Sequence, residues 1–163
     1  MIYQKDVICR GFTLCCGSAT ANETLNAPNI GGGKFNHYVY VYLGGGVVGN
    51  GVDYITMNEG ALTDISKFAG APIQYKSFSN GGIWVAINPV PDSKRYNGKL
   101  LKGPHTEQFT NEGKEKFIIC FENIIQCNGV DINPHEYVRV LKDSVKNIFV
   151  PEGAVAAVFT ERE

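Results

Sequence analysis

His105 and Glu107 form the sharpest chemical pair in the chain. The run Gly103-Pro104-His105-Thr106-Glu107 sets an imidazole and a carboxylate two residues apart. Alternate residues of a strand point to the same side, so the two side chains can meet. Such a pair can bind a polar ligand or supply part of a metal site, and it can equally be two polar residues at a loop end. A catalytic divalent metal wants three or four ligands converging from neighbouring strands. The chain has only three histidines, His37, His105 and His135. His135 follows Pro134 in a polar turn and is expected at the solvated surface. Tyr38, Tyr40 and Tyr42 alternate with Val39, Val41 and Leu43, so the tyrosines share one strand face. Three rings with hydroxyls can line a ligand cavity; the alternative is a half-buried face covered by another sheet or subunit.

Other chemistry is thinner. The five cysteines, Cys9, Cys15, Cys16, Cys120 and Cys127, are odd in number and no export signal precedes them. Reduced thiols in a cytoplasmic protein are the expectation. Adjacent Cys15 and Cys16 suit neither an ordinary disulfide nor CxxC metal spacing. Cys120 and Cys127 flank a turn as packing residues. Gly31–Gly33 and Gly44–Gly46 lead into strands rather than helix N-termini, which argues against a phosphate cradle. No Ser-His-Asp or Cys-His arrangement can be read from spacing, so catalytic residues are unknown.

Composition narrows the classes. With 15 basic and 16 acidic residues the formal charge is −1. Nucleic acid and anionic membranes demand clustered Lys and Arg, and neither partner is expected. No apolar run reaches the roughly 18 residues of a transmembrane helix. The start, MIYQKDVICRGF, lacks the basic-then-apolar layout of a signal peptide. At 163 residues the chain is read as one domain, 1–163.

Those side chains must be positioned by strands. Residues 2–16 carry a weak strand signal broken by Gly11. Residues 17–34, small and polar with Pro28, read as a long loop. Tyr38–Leu43, Val47-Val48 and Tyr54–Met57 read as strands around the hairpin signal Asn50-Gly51. Thr63 to Phe68 reads as one helical turn, capped by Thr63 or Asp64 and stopped by Gly70. Ile73–Phe78 and Ile83–Ile87, the latter holding Trp84 as a core residue, are two strands joined by Asn80-Gly81-Gly82. Asn88 to Gly103 reads as a polar connection. Lys116–Phe121, Ile124-Ile125, Tyr137–Leu141, Lys146–Val150 and Ala154–Phe159 follow as strands. Many short strands at regular turn spacing mean an all-β sandwich or barrel.

The pattern occurs twice, over 35–88 and 113–160. Asn50-Gly51-Val52-Asp53 matches Asn128-Gly129-Val130-Asp131 identically, an offset of 78. At that offset Val41 meets Ile119, Leu43 meets Phe121, Val47 meets Ile125 and Tyr54 meets Ile132. Phe78 to Val85 resembles Phe149 to Ala156 at an offset of 71.

The second copy resembles the cupin superfamily, the jelly roll or double-stranded β-helix. His105 and Glu107 sit where that pattern has His-x-His, and Glu115 sits near its glutamate. Val150-Pro151-Glu152-Gly153 matches its Pro-x-Gly, but Ala156 stands where its last metal-binding histidine belongs. The first copy matches more loosely, with His37 beside Glu115. The resemblance implies a cupin-like all-β jelly roll of two merged repeats, with an incomplete metal set and no cofactor. It implies a protein that binds a small polar ligand, a sugar or a nucleotide, in the barrel mouth through Tyr38, Tyr40, Tyr42, His105 and Glu107. Two rivals stand beside it. One is a metal-independent sugar epimerase or isomerase with a His105 base and a Tyr38 or Tyr40 acid. The other is an oligomeric structural component of a virion or shell. Open sheet edges need cover, so a homo-oligomer is expected.

Overall fold

The structure, a computed structural model, describes residues 3–9, 12–26, 37–68, 72–89 and 94–162. The expected breaks at Gly11 and Gly70, and the loop glycines Gly31–Gly33 with Pro28, lie outside them. The described residues are almost wholly antiparallel strands, with one short 3-10 turn at Ser66–Phe68. The chain divides into two compact units, Met1–Ser93 and Lys94–Glu163.

The first unit contains β1 (Tyr3–Cys9), β2 (Phe12–Ala19), β3 (Thr24–Asn26), β4 (Tyr38–Gly49), β5 (Tyr54–Asn58), β6 (Leu62–Asp64) and β7 (Gln74–Pro89). Its organising pair is β4 with β7. The first half of β4 pairs with β6 and the last half of β7; the second half of β4 pairs with β5 and the first half of β7. Strand β2 lies on the far side of the last half of β7, and β3 on that of the first half. Both long strands therefore change their outer partners midway along one seven-stranded sheet, and they bend where the partners change. The bend falls at register shifts between Val41 and Leu43 and between Gly44 and Gly46. Gly44 and Gly45 have φ of 69° and 136°; a side chain is strained there, and one at Gly44 would also strike the Gly81 carbonyl. The interior holds Val39, Val41, Val48, Trp84 and Ala86.

The second unit contains β8 (Tyr96–Lys102), β9 (His105–Thr110), β10 (Lys116–Glu122), β11 (Ile125–Cys127), β12 (Val130–Ile132), β13 (Tyr137–Val140), β14 (Val145–Val150) and β15 (Val155–Glu161). They form two four-stranded sheets, ordered β13-β10-β15-β8 and β12-β11-β14-β9. Ile118, Cys120, Ile148, Val150, Ala156 and Val158 fill the space between them.

The pairing of β2 through β7 reappears in β8 through β15. Strands β10 and β11 take the roles of the two halves of β4, and β14 and β15 those of the two halves of β7. Where β7 bends through Gly81, with φ 76°, the second unit breaks at Pro151–Gly153, with φ 83° at Gly153. The residue matching at offsets 78 and 71 is one residue out. Val41 and Trp84 face the interior of the first unit, whereas their partners at those offsets, Ile119 and Val155, are not among the second unit's interior residues. Offsets of 79 and 72 set inward Val41 on inward Cys120 and inward Trp84 on inward Ala156. A one-residue slip in a period of two exchanges the faces.

Four readings of elements change. The helical turn read over 63–68 shortens to Ser66–Phe68, because Thr63 and Asp64 belong to strand β6. The connection 88–103 contains β8. The loop read over 17–34 carries the end of β2 and all of β3 before the undescribed residues. Strands 73–78 and 83–87 are one element, β7, because Asn80-Gly81-Gly82 bends the chain without ending its pairing.

Candidate functional site

Strand β9 turns His105, Glu107 and Phe109 to one side. Their partners across the ladder are Val150, Ile148 and Lys146. Phe109, Ile148 and Val150 belong to the core of the second unit, and directly opposed residues share a face. His105 and Glu107 therefore point between the two sheets. His105 Nε2 and Glu107 Oε1 lie 2.8 Å apart, each side chain a little over one-third exposed.

The facing sheet presents ordered rows. Leu101, Ala156 and Cys120 lie side by side on β8, β15 and β10; Lys99, Val158 and Ile118 form the next row; Asn97, Thr160 and Lys116 form the last. The apolar first row is packed into the core, and the polar last row lies at the open end of the space. A cavity of about 380 Å³ opens there, lined by Asn97, Lys99, Glu107, Phe109, Lys116 and Thr160 among others. Glu112 stands at the rim, its carboxylate 3.7 Å from the Lys116 ammonium, and the Lys116 side chain as a whole is only 15% exposed. Lysine heads can receive a phosphate or carboxylate, and Glu107 can accept from hydroxyls.

A metal does not fit this set. Ala156 faces inward and offers no donor where the cupin pattern has its last histidine. Cys120 donates its thiol to the Asn123 carbonyl at 2.9 Å, and burial pushes it up to about 11. Among the described residues no group of three His, Cys, Asp or Glu side chains is placed to hold a metal ion.

Glu115, read as standing near the cupin glutamate, is elsewhere. It precedes Lys116 and shares the face of Phe117, away from the interior. Its carboxylate accepts from the Tyr96 hydroxyl at 2.9 Å, Lys94 Nζ at 3.2 Å and Arg139 Nη2 at 2.8 Å. Burial alone raises this carboxyl, but those donors outweigh it and hold it below its ordinary value. Burial also raises the Tyr96 hydroxyl, and the neighbouring Glu115 adds to it. This cluster ties the start of β8 to β10 and β13.

The tyrosines of β4 sit in the first unit. Tyr38 and Tyr40 are 7% and 1% exposed, but they alternate with Val39 and Val41, which fill that unit's interior. Their rings thus stand on the opposite face of the strand, not in the unit's own interior. Tyr42 is half-buried, edge-on to Tyr40 with 5.1 Å between ring centres. The structure brings His105 and Glu107 together and leaves the tyrosines in the other unit. His37 is buried, 1% exposed, and its backbone N–H donates to Asn88 Oδ1 at 3.2 Å. His135 is half-buried with a φ of 68°, and its N–H donates to the Cys120 carbonyl at 2.7 Å; it is a turn residue rather than a freely solvated one. Sequence reasoning missed Asn97, Lys99, Lys116 and Thr160.

No family model matches the sequence, and no curated protein does. Solved structures do resemble it. A conserved protein of unknown function from Pseudomonas aeruginosa aligns with a TM-score of 0.65 and 12% identity, covering 94% of this chain and 81% of its own. AerE from Microcystis aeruginosa aligns with a TM-score of 0.62 and 8% identity, covering 99% and 93%. A cupin 2 conserved barrel domain protein from Leptotrichia buccalis aligns with a TM-score of 0.52 and 11% identity, covering 99% and 89%. At such identities the likeness is one of fold: this chain is an all-β jelly roll of the cupin type. No helix among the described residues is long and apolar enough to cross a membrane.

Proposed function

We propose that the protein binds a small polar ligand, a sugar or a nucleotide, between the sheets of the second unit, without a catalytic metal. The supporting observation is the cavity of about 380 Å³, whose lining brings Lys99, Lys116, Glu107, Asn97 and Thr160 together beside the apolar Phe109 and Val158. Small-molecule sites are typically clefts of about 300–1,000 Å³ with a few placed polar groups on an apolar lining. Lys99 and Lys116 receive an anionic substituent, Glu107 and Asn97 bond hydroxyls, and Phe109 lies against the ring. Tyr38, Tyr40 and Tyr42 are not among the described residues that line this cavity, and the proposal rests on Glu107 with His105 behind it.

Thermal shift with a panel of sugars, sugar phosphates and nucleotides tests the reading. A ligand at 100 times its Kd stabilises by about 2.7 kcal/mol, a rise of about 5–10 °C for a chain of this size. Lys116→Ala abolishes the rise. No stabilisation by any member of the panel overturns the proposal.

A second reading rests on the 2.8 Å contact of His105 with Glu107. A carboxylate that orients an imidazole prepares it as a general base, as a metal-independent epimerase or isomerase requires. Solvent-deuterium exchange into a bound sugar, lost in His105→Gln, is its signature; binding without exchange leaves the ligand-binding reading alone.

A further inference from the structure

The outward face of the first unit carries a separate cavity. Strands β5, β4, β7 and β3 lie side by side, and their register sets Tyr54 opposite Gly49, Gly49 opposite Gln74, and Gln74 opposite Asn26. Opposed residues share a face, so these four make one row across four strands. Their chain neighbours Ile55, Val48, Tyr75 and Leu25 pack in the interior. The row therefore faces outward. A cavity of about 280 Å³ runs along it, bordered just beyond the row by the Asn50-Gly51 turn and by Pro72 and Ile73.

Three properties of the row point to one kind of ligand. First, Tyr54 is 65% exposed, yet its ring has a fixed seat: a side chain at Gly49 would run into it, so the glycine lets the ring lie across the strand. Second, the amides are set in place. Gln74 Nε2 donates to Asn26 Oδ1 at 3.2 Å, which leaves Gln74 Oε1 to accept and Asn26 Nδ2 to donate. Asn50 Oδ1 accepts from the N–H groups of Val52 and Asp53 at 2.9 and 2.8 Å, which leaves its Nδ2 to donate. Third, no Asp, Glu, Lys, Arg or His is among the described residues that line the cavity.

We infer that this row is a binding site for a neutral saccharide. A pyranose has an apolar C–H face and an edge of hydroxyls that donate and accept. The Tyr54 ring offers the apolar surface, and the amides offer one acceptor beside two donors. A nucleotide or an acidic glycan calls for a cation, and none is among the described residues of the lining. The inference stands apart from the proposed cavity of the second unit, since it shares no residue with it.

A neutral-glycan array followed by ¹⁵N NMR titration with the best-bound oligosaccharide tests it. The expected result is binding at millimolar or better Kd, with shifts at Gly49, Gly51, Tyr54 and Gln74. Affinity stays within about twofold between low and high salt, because no charge is paired. Tyr54→Ala and Gln74→Ala each weaken binding tenfold or more, and Tyr54→Phe keeps it. Unchanged circular dichroism and Tm in Tyr54→Ala exclude unfolding as the cause. The Lys116→Ala variant, which removes a cation from the second unit's cavity, binds as the parent does. Failure of every neutral glycan overturns the inference. So does binding indifferent to Tyr54→Ala, and so does binding lost in a folded Lys116→Ala.

Discussion

Glu115 shows how a single carboxylate fastens the edge of a sheet. It is 16% exposed and takes hydrogen bonds from a phenol, an ammonium and a guanidinium. Glu115→Gln keeps the shape but removes the charge, leaving Lys94 and Arg139 without their counterion. Hydrogen bonds to charged groups contribute about 1.5–3 kcal/mol, so urea unfolding at neutral pH is expected to show a loss of about that size. The folded carboxyl lies below its ordinary value of 4.5. Its stabilisation is therefore present above 4.5 and fades as pH falls through the lower, folded value. The gap between parent and Glu115→Gln closes in acid; a gap that persists there contradicts the assignment. Among residues with candidate chemistry, His105 and Glu107 were legible because two residues apart on a strand is a local signal. Lys99, Lys116 and Thr160 were not, because they come from three strands far apart in sequence and meet only through pairing. For the tyrosines, alternation was a weaker guide for a related reason. Residues 38–41 are all buried, and where both faces of a strand are covered, alternation no longer marks which one lines the interior.

At the scale of elements, close approaches decide which residues are possible. Gly17 on β2 lies opposite Trp84 on β7, and a Cβ there would come within 2.7 Å of the indole. Gly17→Ala is expected to destabilise the first unit by about 1–3 kcal/mol, the usual penalty of overpacking, and to displace the chain's only tryptophan. Its fluorescence maximum shifts in the folded variant; an unmoved maximum with parental stability contradicts the packing described. Most strands were legible from alternation and turn residues, but the doubled pattern was matched one residue out. The shared Asn-Gly anchored it, and the two turns differ in length. Cys127 pairs directly with Val130, which leaves a two-residue turn at Asn128-Gly129 with φ of 50° and 79°. Gly49 pairs with Tyr54 across four residues, closed by the Asn50 N–H donating to the Asp53 carbonyl at 3.2 Å. Identical letters occupy unequal turns, so an alignment fixed on them slips the flanking strands. Strand β8 was hidden for another reason. Its sequence, YNGKLLK, is polar at the positions that rim the cavity.

For the whole molecule, the chain is proposed to behave as one cupin-like domain of two merged repeats. Calorimetry and denaturant unfolding followed by Trp84 fluorescence and by far-ultraviolet circular dichroism then give one coincident transition. Two separated transitions, with the tryptophan reporting only one, would mean units that fold independently. The jelly roll itself is shared with proteins of diverse names at about one residue in ten, and a fold so widely used does not choose a ligand. The choice lies with the side chains between the sheets of the second unit. The most direct measurement is a ¹⁵N NMR titration of the intact chain with the sugar phosphate or nucleotide that stabilises it most. Saturable shifts centred on Asn97, Lys99, Glu107, Lys116 and Thr160, erased by Lys116→Ala, are the predicted result. Shifts confined to other residues, or none at millimolar ligand, would contradict it.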